Sequence, residues 1–412
     1  MNKNKHIPQG YKDSPLGIIP KEWEVKKLGD LCKKIGSGVT PRGGQNVYLS
    51  KGRPFMRSQN VANGNLILDD IVYIDEKTHQ KQKSTEIELD DILLNITGAS
   101  IGRCAVATQE IVGGNVNQHV CIIRLKDVSF SYYINTFLLS YLGQKQIDSY
   151  QAGGNREGLN YDHIASFKIC IPSSIEIMRL NIILQLWDTA IEKQSELIEK
   201  LKLRKRALMQ QLLTGKNRLP GFSGEWKEIK LGDIFDERNE TNRDDLPLLS
   251  ITGDRGVIYQ SDSDKRDISN DDKSKYKRIC PNDIGYNTMR MWQGRSALSN
   301  IEGIVSPAYT IVTPHKNVDV RFMAMLIQQP RIVYDFWTHS QGLVSDTLNC
   351  KYPDFCQVKV RIPSKEEQTA IADLLYEFDK EINLANEKLA SLQSQKRGLM
   401  QQLLTGKKRI IG

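Results

Sequence analysis

The chain has 412 residues, of which 39% are hydrophobic and 26% are charged, and its net charge is +8 with a pI of about 8.9. This length predicts two or three domains, each able to bury its own core. No run of eighteen apolar residues occurs, and the N-terminal segment lacks an apolar core, so we expect neither membrane insertion nor secretion.

Charge and cysteine usage narrow the class of protein further. The basic balance favours a polyanionic partner, although many basic proteins bind no nucleic acid. The seven cysteines include no Cys-x-x-Cys pair, and the six histidines show no metal-ligand spacing. We therefore expect no structural disulfide and no metal site, and we expect a reducing cytoplasm as the compartment.

Both halves of the chain begin and end with the same motifs. Residues 23–31 read WEVKKLGDL, and 203 residues later residues 226–234 read WKEIKLGDI. Residues 205–216 and 396–407 share eleven of twelve positions at an offset of 191 residues. The chain is therefore a tandem duplication, with a short turn at residues 217–224 joining the two copies.

The interior of each copy diverges but keeps matched landmarks in the same order. The paired segments are 53–56 with 246–249, 91–95 with 283–287, 102–103 with 294–295, and 116–119 with 305–308. Short β-branched runs predict strands at residues 105–107, 120–125, 309–312 and 358–362, and the pattern predicts helices at residues 132–146 and 320–329. Each interior is thus predicted to be a compact α+β domain with a shared core and a different surface.

A long helix follows each interior. Capping-box patterns open the two helices at Ser173-x-x-Glu176 and Ser364-x-x-Glu367, and Gly215 and Gly406 close them. Between these ends, eight and nine of ten positions at an alternating four-three spacing are apolar, which is typical of a coiled-coil seam about 60 Å long. The residues predicted to form this helix seam and subunit-docking surface are Leu184, Trp187, Ile191, Leu201, Leu208, Leu212, Leu375, Phe378, Ile382, Leu392, Leu399 and Leu403.

Apolar residues outside the seam predict a further partner. A pair of helices would leave them exposed, and we expect the isolated chain to aggregate for this reason. They are Ile183, Leu186, Leu197, Leu203, Leu374 and Leu384. Antiparallel pairing of the two seams would relate the two domains by a pseudo-two-fold axis.

No catalytic constellation is visible in the sequence. The Gly-rich segment 36–44 lacks the Lys-Ser/Thr of a phosphate-binding loop, so we interpret it as a structural loop. Pro353-Asp354 resembles part of a metal-dependent nuclease motif, but Gln357 stands where the second carboxylate belongs. Nothing resembles the Asn/Asp-Pro-Pro-Tyr loop of an adenine methyltransferase.

Polar and basic residues instead cluster where loops are expected, and their side chains match base edges and phosphates. The candidate DNA-binding residues of the first domain are Arg57, Gln59, Asn60, Thr97, Ser100, Arg103, Asn117, Gln118, Asn155 and Arg156. Those of the second domain are Thr252, Arg255, Arg290, Trp292, Gln293, Arg295, Ser340 and Gln341. For any single residue, a solvated loop position without a DNA contact remains an alternative interpretation.

The assembled pattern resembles the specificity (S) subunit of type I restriction-modification systems. The duplicated helix ending in LMQQLLTGK, the Trp-x-x-x-Lys-Leu-Gly-Asp motif and the Gly-Val-Thr-Pro of residues 38–41 carry this resemblance over essentially the whole chain. Residues 239–242 depart from it, since they read Asn-Glu-Thr-Asn where the second Gly-x-Thr-Pro would fall.

The resemblance implies an α+β fold with two mixed α/β target-recognition domains, at residues 1–172 and 217–363. Two long antiparallel coiled-coil helices, at residues 173–216 and 364–412, would separate these domains as spacers. It further implies double-stranded DNA with a bipartite, asymmetric target as ligand, and two methyltransferase subunits and restriction (motor) subunits as partners. The chain itself would be non-catalytic and bind no cofactor, while its partners would use S-adenosylmethionine, ATP and Mg²⁺.

Two alternative interpretations stay open at this point. The chain has the features of an S component in a type IIB-like system, where the methylase and nuclease are fused. A basic coiled-coil scaffold protein would also explain the helices, but it would not explain two diverged domains with matched landmarks.

Overall fold

The computed structural model describes residues 7–151, 158–253, 255–263, 269, 271–342 and 348–410. The chain forms two compact units. Unit 1 comprises residues 1–194 and 388–412, and unit 2 comprises residues 195–387. Each long helix contributes one part to each unit, so the units divide the helices near their middle and not at their ends.

The strands are short, and most of them are antiparallel. In unit 1 they are β1 (Tyr11–Ser14), β2 (Gly17–Pro20), β3 (Glu24–Lys27), β4 (Cys32–Ser37), β5 (Arg53–Met56), β6 (Val72–Ile74), β7 (Ile92–Asn95), β8 (Cys104–Val106), β9 (Asn115–Val116), β10 (Val120–Leu125) and β11 (Lys168–Ile171). In unit 2 they are β12 (Lys227–Lys230), β13 (Phe235–Glu237), β14 (Leu249–Ile251), β15 (Val257–Tyr259), β16 (Lys277–Ile279), β17 (Ile284–Asn287), β18 (Ser296–Leu298), β19 (Gly303–Val305), β20 (Tyr309–Pro314) and β21 (Lys359–Ile362).

Two long helices stand beside eight short ones among the described residues. The short helices are α1 (Leu28–Leu31), α2 (Glu76–Lys81), α3 (Ser131–Leu139), α4 (Tyr141–Ser149), α5 (Tyr161–Ser166), α7 (Val320–Leu326), α8 (Pro330–His339) and α9 (Tyr352–Gln357). The long helices are α6 (Ser174–Leu212) and α10 (Lys365–Leu403), of 39 residues each. No helix in the described part of the chain has the length and apolar content to cross a membrane.

Each unit is built on a four-stranded antiparallel sheet of the same order. The order is β4-β10-β7-β8 in unit 1 and β13-β20-β17-β18 in unit 2. In unit 1, Ile92 and Leu94 of β7 face the main core, whereas Leu93 between them faces a second, smaller core. A strand buried on both faces reads as a continuous apolar run, which explains the Ile-Leu-Leu sequence here.

Gly285 stands in β17 at the position that Leu93 occupies in β7. A Cβ atom on Gly285 would lie 2.4 Å from Cδ1 of Ile251, so the side chain of Ile251 occupies the space that Leu93 fills in unit 1. The two sheets therefore share strand order and register, while their smaller cores are filled from different strands.

The predicted helix at residues 132–146 is two helices, because Ser140 interrupts it. Ser140 is extended, and its hydroxyl accepts a hydrogen bond from the backbone N–H of Gly143 at 3.4 Å, so it serves as the N-cap of α4. The predicted helix at residues 320–329 ends early at Leu326. Gln329 is extended because it precedes Pro330, and α8 begins at that proline.

The long helices pair antiparallel within each unit. In unit 1, Leu180 and Leu184 near the start of α6 share a core with Leu403 near the end of α10. In unit 2, Leu212 at the end of α6 shares a core with Leu375 near the start of α10. The tandem duplication of α+β domains with two long antiparallel helices is thereby confirmed.

None of the predicted seam residues is exposed. Leu184, Leu201, Leu212, Leu375, Phe378 and Leu403 are buried, while Trp187, Ile191, Leu208, Ile382, Leu392 and Leu399 are half-buried. Two lysines at seam positions are paired with acids of the other helix. Lys205 contacts Asp379 in unit 2, and Lys396 contacts Asp188 in unit 1. Both pairs lie at matching positions, since each residue recurs 191 positions later.

Two residues expected to be exposed outside the seam turn inward. Ile183 and Leu374, which occupy equivalent positions, are half-buried and pack against the main cores of their own units. The expectation of exposure was wrong for them because the recognition domain of each unit covers that side of its helix. Leu186, Leu197, Leu203 and Leu384 are exposed, as predicted.

The capping boxes are only half formed. Ser173 accepts a hydrogen bond from the N–H of Glu176 at 3.3 Å, as the pattern predicts. The Glu176 carboxylate, however, accepts hydrogen bonds from Arg409, at 2.7 Å from Nε and 3.0 Å from Nη2, and from Nε1 of Trp23 at 3.0 Å. The glutamate therefore joins the start of α6 to the segment after α10 and to the N-terminal Trp motif.

Unit 2 repeats this cluster with equivalent residues. Arg218 donates to both carboxylate oxygens of Glu367, at 2.5 and 2.6 Å, and its guanidinium lies 5.9 Å from the Trp226 ring centre. In both copies a tryptophan, a glutamate and an arginine from distant parts of the chain meet at the base of the recognition domain. This cluster gives a physical reason for the repeated tryptophan of the lead-in motif.

Candidate nucleic-acid interface

In each unit, loops gather at one end of the four-stranded sheet. In unit 1, the N–H of Ile96 donates to the carbonyl of His119 at 3.0 Å, and Asn95 Nδ2 donates to the carbonyl of Ser58 at 2.8 Å. In unit 2, the N–H of Thr288 donates to the carbonyl of Ala308 at 3.1 Å. The loops that carry most of the predicted DNA-binding residues are thus held together by hydrogen bonds around the strand ends.

His119 links three of the predicted residues of unit 1. Its Nδ1 lies 2.6 Å from Oγ1 of Thr97, its Nε2 lies 3.3 Å from Nε2 of Gln118, and its backbone N–H donates to Oδ1 of Asn117 at 3.0 Å. Gln118 is exposed and Thr97 is half-buried, whereas Asn117 is buried and shapes the turn. The result is a group of polar donors and acceptors at the surface.

Gly38 of the Gly-Val-Thr-Pro segment lies against this group. A Cβ atom at Gly38 would lie 1.7 Å from the carbonyl oxygen of Val116, so only glycine allows the two loops to meet. Its N–H donates to the carbonyl of Asn117 at 3.2 Å. The motif therefore positions the turn before β10, while the neighbouring Val39 is 62% exposed.

Arg57, Gln59 and Asn60 all bind Asp70. Arg57 Nη2 donates to the Asp70 carbonyl at 2.7 Å and to Oδ2 at 3.3 Å, Asn60 Nδ2 donates to Oδ1 at 2.8 Å, and Gln59 Nε2 also donates to Oδ2. Asn60 is fully buried and braces the loop from inside, so its amide is not at the surface. Gln59 is exposed, and the charge of Arg57 is balanced by Asp70.

Ser100 and Arg103 lie in the loop between β7 and β8. The backbone N–H of Arg103 donates to the Ser100 carbonyl at 3.2 Å, and the Arg103 side chain is exposed. Within the described ranges no acceptor contacts its guanidinium, which leaves it available for an anionic ligand. Asn155 and Arg156 lie outside the described residues.

In unit 2, the structure brings four predicted residues into one cavity. Thr252, Arg255, Arg290 and Arg295 line a space of about 450 Å³. Arg295 crosses the turn between β14 and β15, where a Cβ atom on Gly253 would lie 2.4 Å from its Nη1. Three guanidinium groups around one space produce a positive potential that attracts an anion.

The arginines of this cavity differ in how firmly they are held. Arg255 Nη1 donates to the carbonyl of Asp262 at 3.1 Å. The guanidinium groups of Arg290 and Arg295 have no acceptor among the residues that the structure describes. Asn287 and Tyr309 also line the cavity, and sequence reasoning did not predict either of them as a site residue. Their positions at the end of β17 and the start of β20 were the available signal, because both flank loops that carry predicted residues.

Trp292 and Gln293 form a 3-10 turn beside this cavity. The indole Nε1 of Trp292 donates to the carbonyl of Met289 at 3.0 Å, so its polar group is occupied within the loop. Gln293 is exposed, and its side-chain amide makes no hydrogen bond to any described residue. Gln293 is therefore the more accessible of the two for a polar contact.

Ser340 and Gln341 follow α8 and are used locally. The Ser340 hydroxyl donates to the carbonyl of Phe336 at 2.7 Å, and Gln341 Nε2 donates to Oδ1 of Asp354 at 3.0 Å. Asp354 also accepts from the N–H of Lys351 at 3.2 Å, which makes it a helix cap of α9. The segment that resembled a nuclease motif thus has a structural role.

In the described parts of these loops we find neither a reactive thiol nor a metal cluster. Burial raises the pKa of Cys121, Cys170 and Cys350 to about 12, and a thiol protonated at neutral pH is a poor nucleophile. All seven cysteines are free. Among the described residues, no group of His, Cys, Asp and Glu side chains is arranged to hold a metal ion.

Comparison with known proteins identifies the family. A family model for the type I restriction modification DNA specificity domain matches residues 20–203 and again residues 223–394. The chain belongs to the type I restriction-modification DNA specificity family. The two matches coincide with the two copies of the tandem duplication.

Two relatives in Methanocaldococcus jannaschii resemble the specificity-family chain along its whole length. It is 22% identical over 435 residues to the putative type I restriction enzyme MjaX specificity subunit, covering 98% of this chain and 97% of the relative. It is also 22% identical over 437 residues to the MjaVIII specificity subunit, with 98% coverage of both.

Two solved structures share its fold. One comes from work on complex assembly and conformational transition of the type I R-M system, with a TM-score of 0.59 at 14% identity over 95% of this chain and 99% of that one. The other is the S subunit of a type I restriction-modification system from M. genitalium, with a TM-score of 0.53 at 13% identity and 98% coverage of both chains.

Proposed function

We propose that this specificity-family chain reads a bipartite, asymmetric DNA site, with one recognition domain on each half-site. The observation that carries the proposal is that two sheets of identical order end in chemically different loops. Unit 1 offers the polar group around His119, whereas unit 2 offers the cavity lined by Arg255, Arg290 and Arg295. Domains with different side chains select different bases, so the two half-sites differ in sequence.

The cavity of unit 2 has the chemistry for a guanine edge or a phosphate. An arginine donates two parallel hydrogen bonds to O6 and N7 of guanine, or to two phosphate oxygens. The polar group around His119 in unit 1 suits a base edge that presents both donors and acceptors. Arg103, exposed at the position equivalent to Arg295, supplies the positive charge on that side.

The partners follow from the family. We propose that two methyltransferase subunits dock on the long helices and that restriction (motor) subunits join the complex for cleavage. S-adenosylmethionine, ATP and Mg²⁺ would bind to those partners, and the complex would act in the cytoplasm. This chain would contribute recognition without a catalytic group.

Exchange of one recognition domain tests the proposal directly. Residues 231–358 lie between the paired strands β12 and β21, so replacing them with the equivalent segment of a relative keeps both strands. In cells that also express the methyltransferase subunit, sequencing of methylated adenine across the genome should show a change in one half of the motif only.

The matched control exchanges residues 28–167, which lie between the paired strands β3 and β11. This exchange should change the other half of the motif and leave the first intact. A change in both halves from either exchange would contradict independent reading. Separate methyltransferase and motor-nuclease reading frames beside the gene would assign type I, whereas one fused frame would assign a type IIB-like system.

A further inference from the structure

The start of α6 carries an exposed apolar stripe that belongs to no core. Ile175, Met178, Ile182 and Leu186 are 61%, 56%, 52% and 65% exposed. Their spacing of three, four and four residues places them on one face over about 16 Å of helix. In the described part of unit 1, Val39 and Tyr141 are the only other large apolar residues exposed by more than half.

The same face of α10 has the opposite chemistry. At the offset of 191 residues the equivalent positions are Glu366, Thr369, Asp373 and Glu377. Asp373 pairs with Arg321 at 2.6 Å and Glu377 pairs with Lys380 at 2.6 Å, yet these two carboxylates remain 59% and 65% exposed. An apolar face in unit 1 thus corresponds to an acidic face in unit 2.

The equivalence of these positions is firm, because residues on either side keep their roles in both copies. Glu176 and Glu367 each bind an arginine beyond the end of the other long helix, and Asp188 and Asp379 each pair with a lysine. The seam therefore runs in the same register in both copies. The difference between the two exposed faces is a property of these faces and not of the alignment.

Unit 2 has exposed leucines of its own, but they lie elsewhere. Leu197, Leu203 and Leu384 are 45%, 65% and 65% exposed, and they lie nearer the middle of the long helices. Their equivalents in unit 1 are Lys388, Ser394 and Lys193. Near the middle of the helices the asymmetry is therefore reversed, with the apolar residues in unit 2 and the polar ones in unit 1.

The small area of the stripe indicates what kind of partner binds it. Four side chains along about 16 Å of helix provide a fraction of the roughly 800 Å² that each partner buries in a stable interface. A second copy of the chain that met only this stripe would bind weakly. The stripe fits a larger partner that also contacts neighbouring surface, as a methyltransferase subunit beside a recognition domain would.

We propose that the two methyltransferase-docking faces are unequal. The stripe of unit 1 holds one methyltransferase subunit by apolar burial, which salt does not weaken, and the acidic face of unit 2 holds the other through charged contacts, which salt screens. Assembly then proceeds in order, with the subunit at unit 1 bound first and released last. This inference rests on the proposed docking of methyltransferase subunits.

The two copies supply matched variants for the test. I175E/M178T/I182D/L186E gives unit 1 the residues of unit 2, and E366I/T369M/D373I/E377L makes the reverse exchange. Y141E is the control, because Tyr141 is about as exposed as Leu186 in the same unit, at 63% against 65%, but lies outside both long helices. All the exchanged positions avoid the seam, and circular dichroism checks the helix content of each variant.

Native mass spectrometry of the full chain with its methyltransferase subunit gives the stoichiometry in about 50 mM and about 500 mM salt, where screening lengths differ severalfold. The wild-type chain and Y141E should keep two methyltransferase subunits at low salt and one at high salt. The unit 1 variant should bind the salt-stable subunit at least about 100-fold more weakly. The unit 2 variant should keep two subunits at high salt.

Three results would overturn the inference. The wild-type complex would lose both subunits over the same salt range, or the unit 1 variant would keep its salt-stable subunit. Alternatively, the free chain would dimerise through the stripe, with methyltransferase binding unchanged in the variant. Failure of the wild-type chain to bind any methyltransferase subunit at low salt would contradict the proposed function instead.

Discussion

Arg238 holds Asp283 through two hydrogen bonds, from Nε to Oδ2 at 2.6 Å and from Nη2 to Oδ1 at 3.2 Å. Asp91 has the same position in unit 1, but its arginine is Arg124, which comes from β10 and not from the segment after β13. Thr313 occupies the position of Arg124 and donates to Asp283 at 2.8 Å. The two equivalent buried carboxylates are thus paired with arginines from different segments of the chain.

Removing the arginine of this pair should destabilise unit 2. Asp283 is 1% exposed, so Arg238→Ala leaves a buried carboxylate without its charged partner, and we expect a loss of about 3 kcal/mol. Protease cleavage across a urea gradient, which reports the unfolding of each unit separately, measures the change. Arg243→Ala is the control, since Arg243 pairs with exposed acids and its loss should change stability much less.

The arginine after α10 should stabilise unit 1 by its geometry as well as its charge. Arg409 binds the buried Glu176 with two nitrogens and the exposed Glu22 with a third. Arg409→Ala should therefore lower the urea midpoint of unit 1 by the equivalent of about 2–3 kcal/mol. Arg409→Lys keeps the charge but loses the planar fork, so it should restore only part of the loss. Full restoration by lysine would contradict a geometric role.

The helix seam predicts a contrast between two leucines of α10. Leu375 is fully buried and Leu384 is 65% exposed. Leu375→Ala removes buried methyl groups and leaves a cavity, so we expect a loss of about 3 kcal/mol in the stability of unit 2. Leu384→Ala should change stability by less than about 0.5 kcal/mol. Equal effects of the two substitutions would show that the seam does not stabilise this pair of helices.

Arg295 is expected to contact a phosphate. Its equivalent Arg103 recurs although the surrounding loops differ, which favours a contact that is independent of sequence. Arg295→Ala should weaken binding by about 1–3 kcal/mol on target and non-target DNA alike and reduce the salt slope by about one. Fluorescence anisotropy with the full methyltransferase complex measures both. A loss confined to the target sequence would assign Arg295 to a base. Arg243→Ala serves as the control, because the charge of Arg243 is already balanced by Glu240 and Asp245.

Helix length is expected to set the gap between the half-sites. Seven residues inserted after Ser195 and again after Asn386 keep the seam in register and add about 10 Å to both helices. At about 3.4 Å per base pair, the gap should grow by up to about three base pairs. Sequencing of methylated adenine in cells carrying the insertion reads the motif, whose half-site bases should stay the same. An unchanged gap in an active complex would contradict the prediction.

Local signals in the sequence predicted the repeated elements well. The long helices were predicted at residues 173–216 and 364–412, and the structure has them at 174–212 and 365–403, so their starts were predicted more accurately than their ends. The strand predicted at residues 120–125 matches β10. Such features depend on residues a few positions apart, because caps and hydrophobic periodicity act over one or two turns of chain.

Only the tertiary structure decided what the polar side chains do. The sequence placed Glu176 in a capping box, but Arg409, which is 233 residues away, binds its carboxylate. Arg57, Gln59 and Asn60 formed an apparent base-reading segment, yet Asp70 binds all three side chains. Ile183 and Leu374 turned inward because the recognition domains cover them. An ion pair or a buried contact depends on which distant segments meet, and that is set by packing of the whole domain.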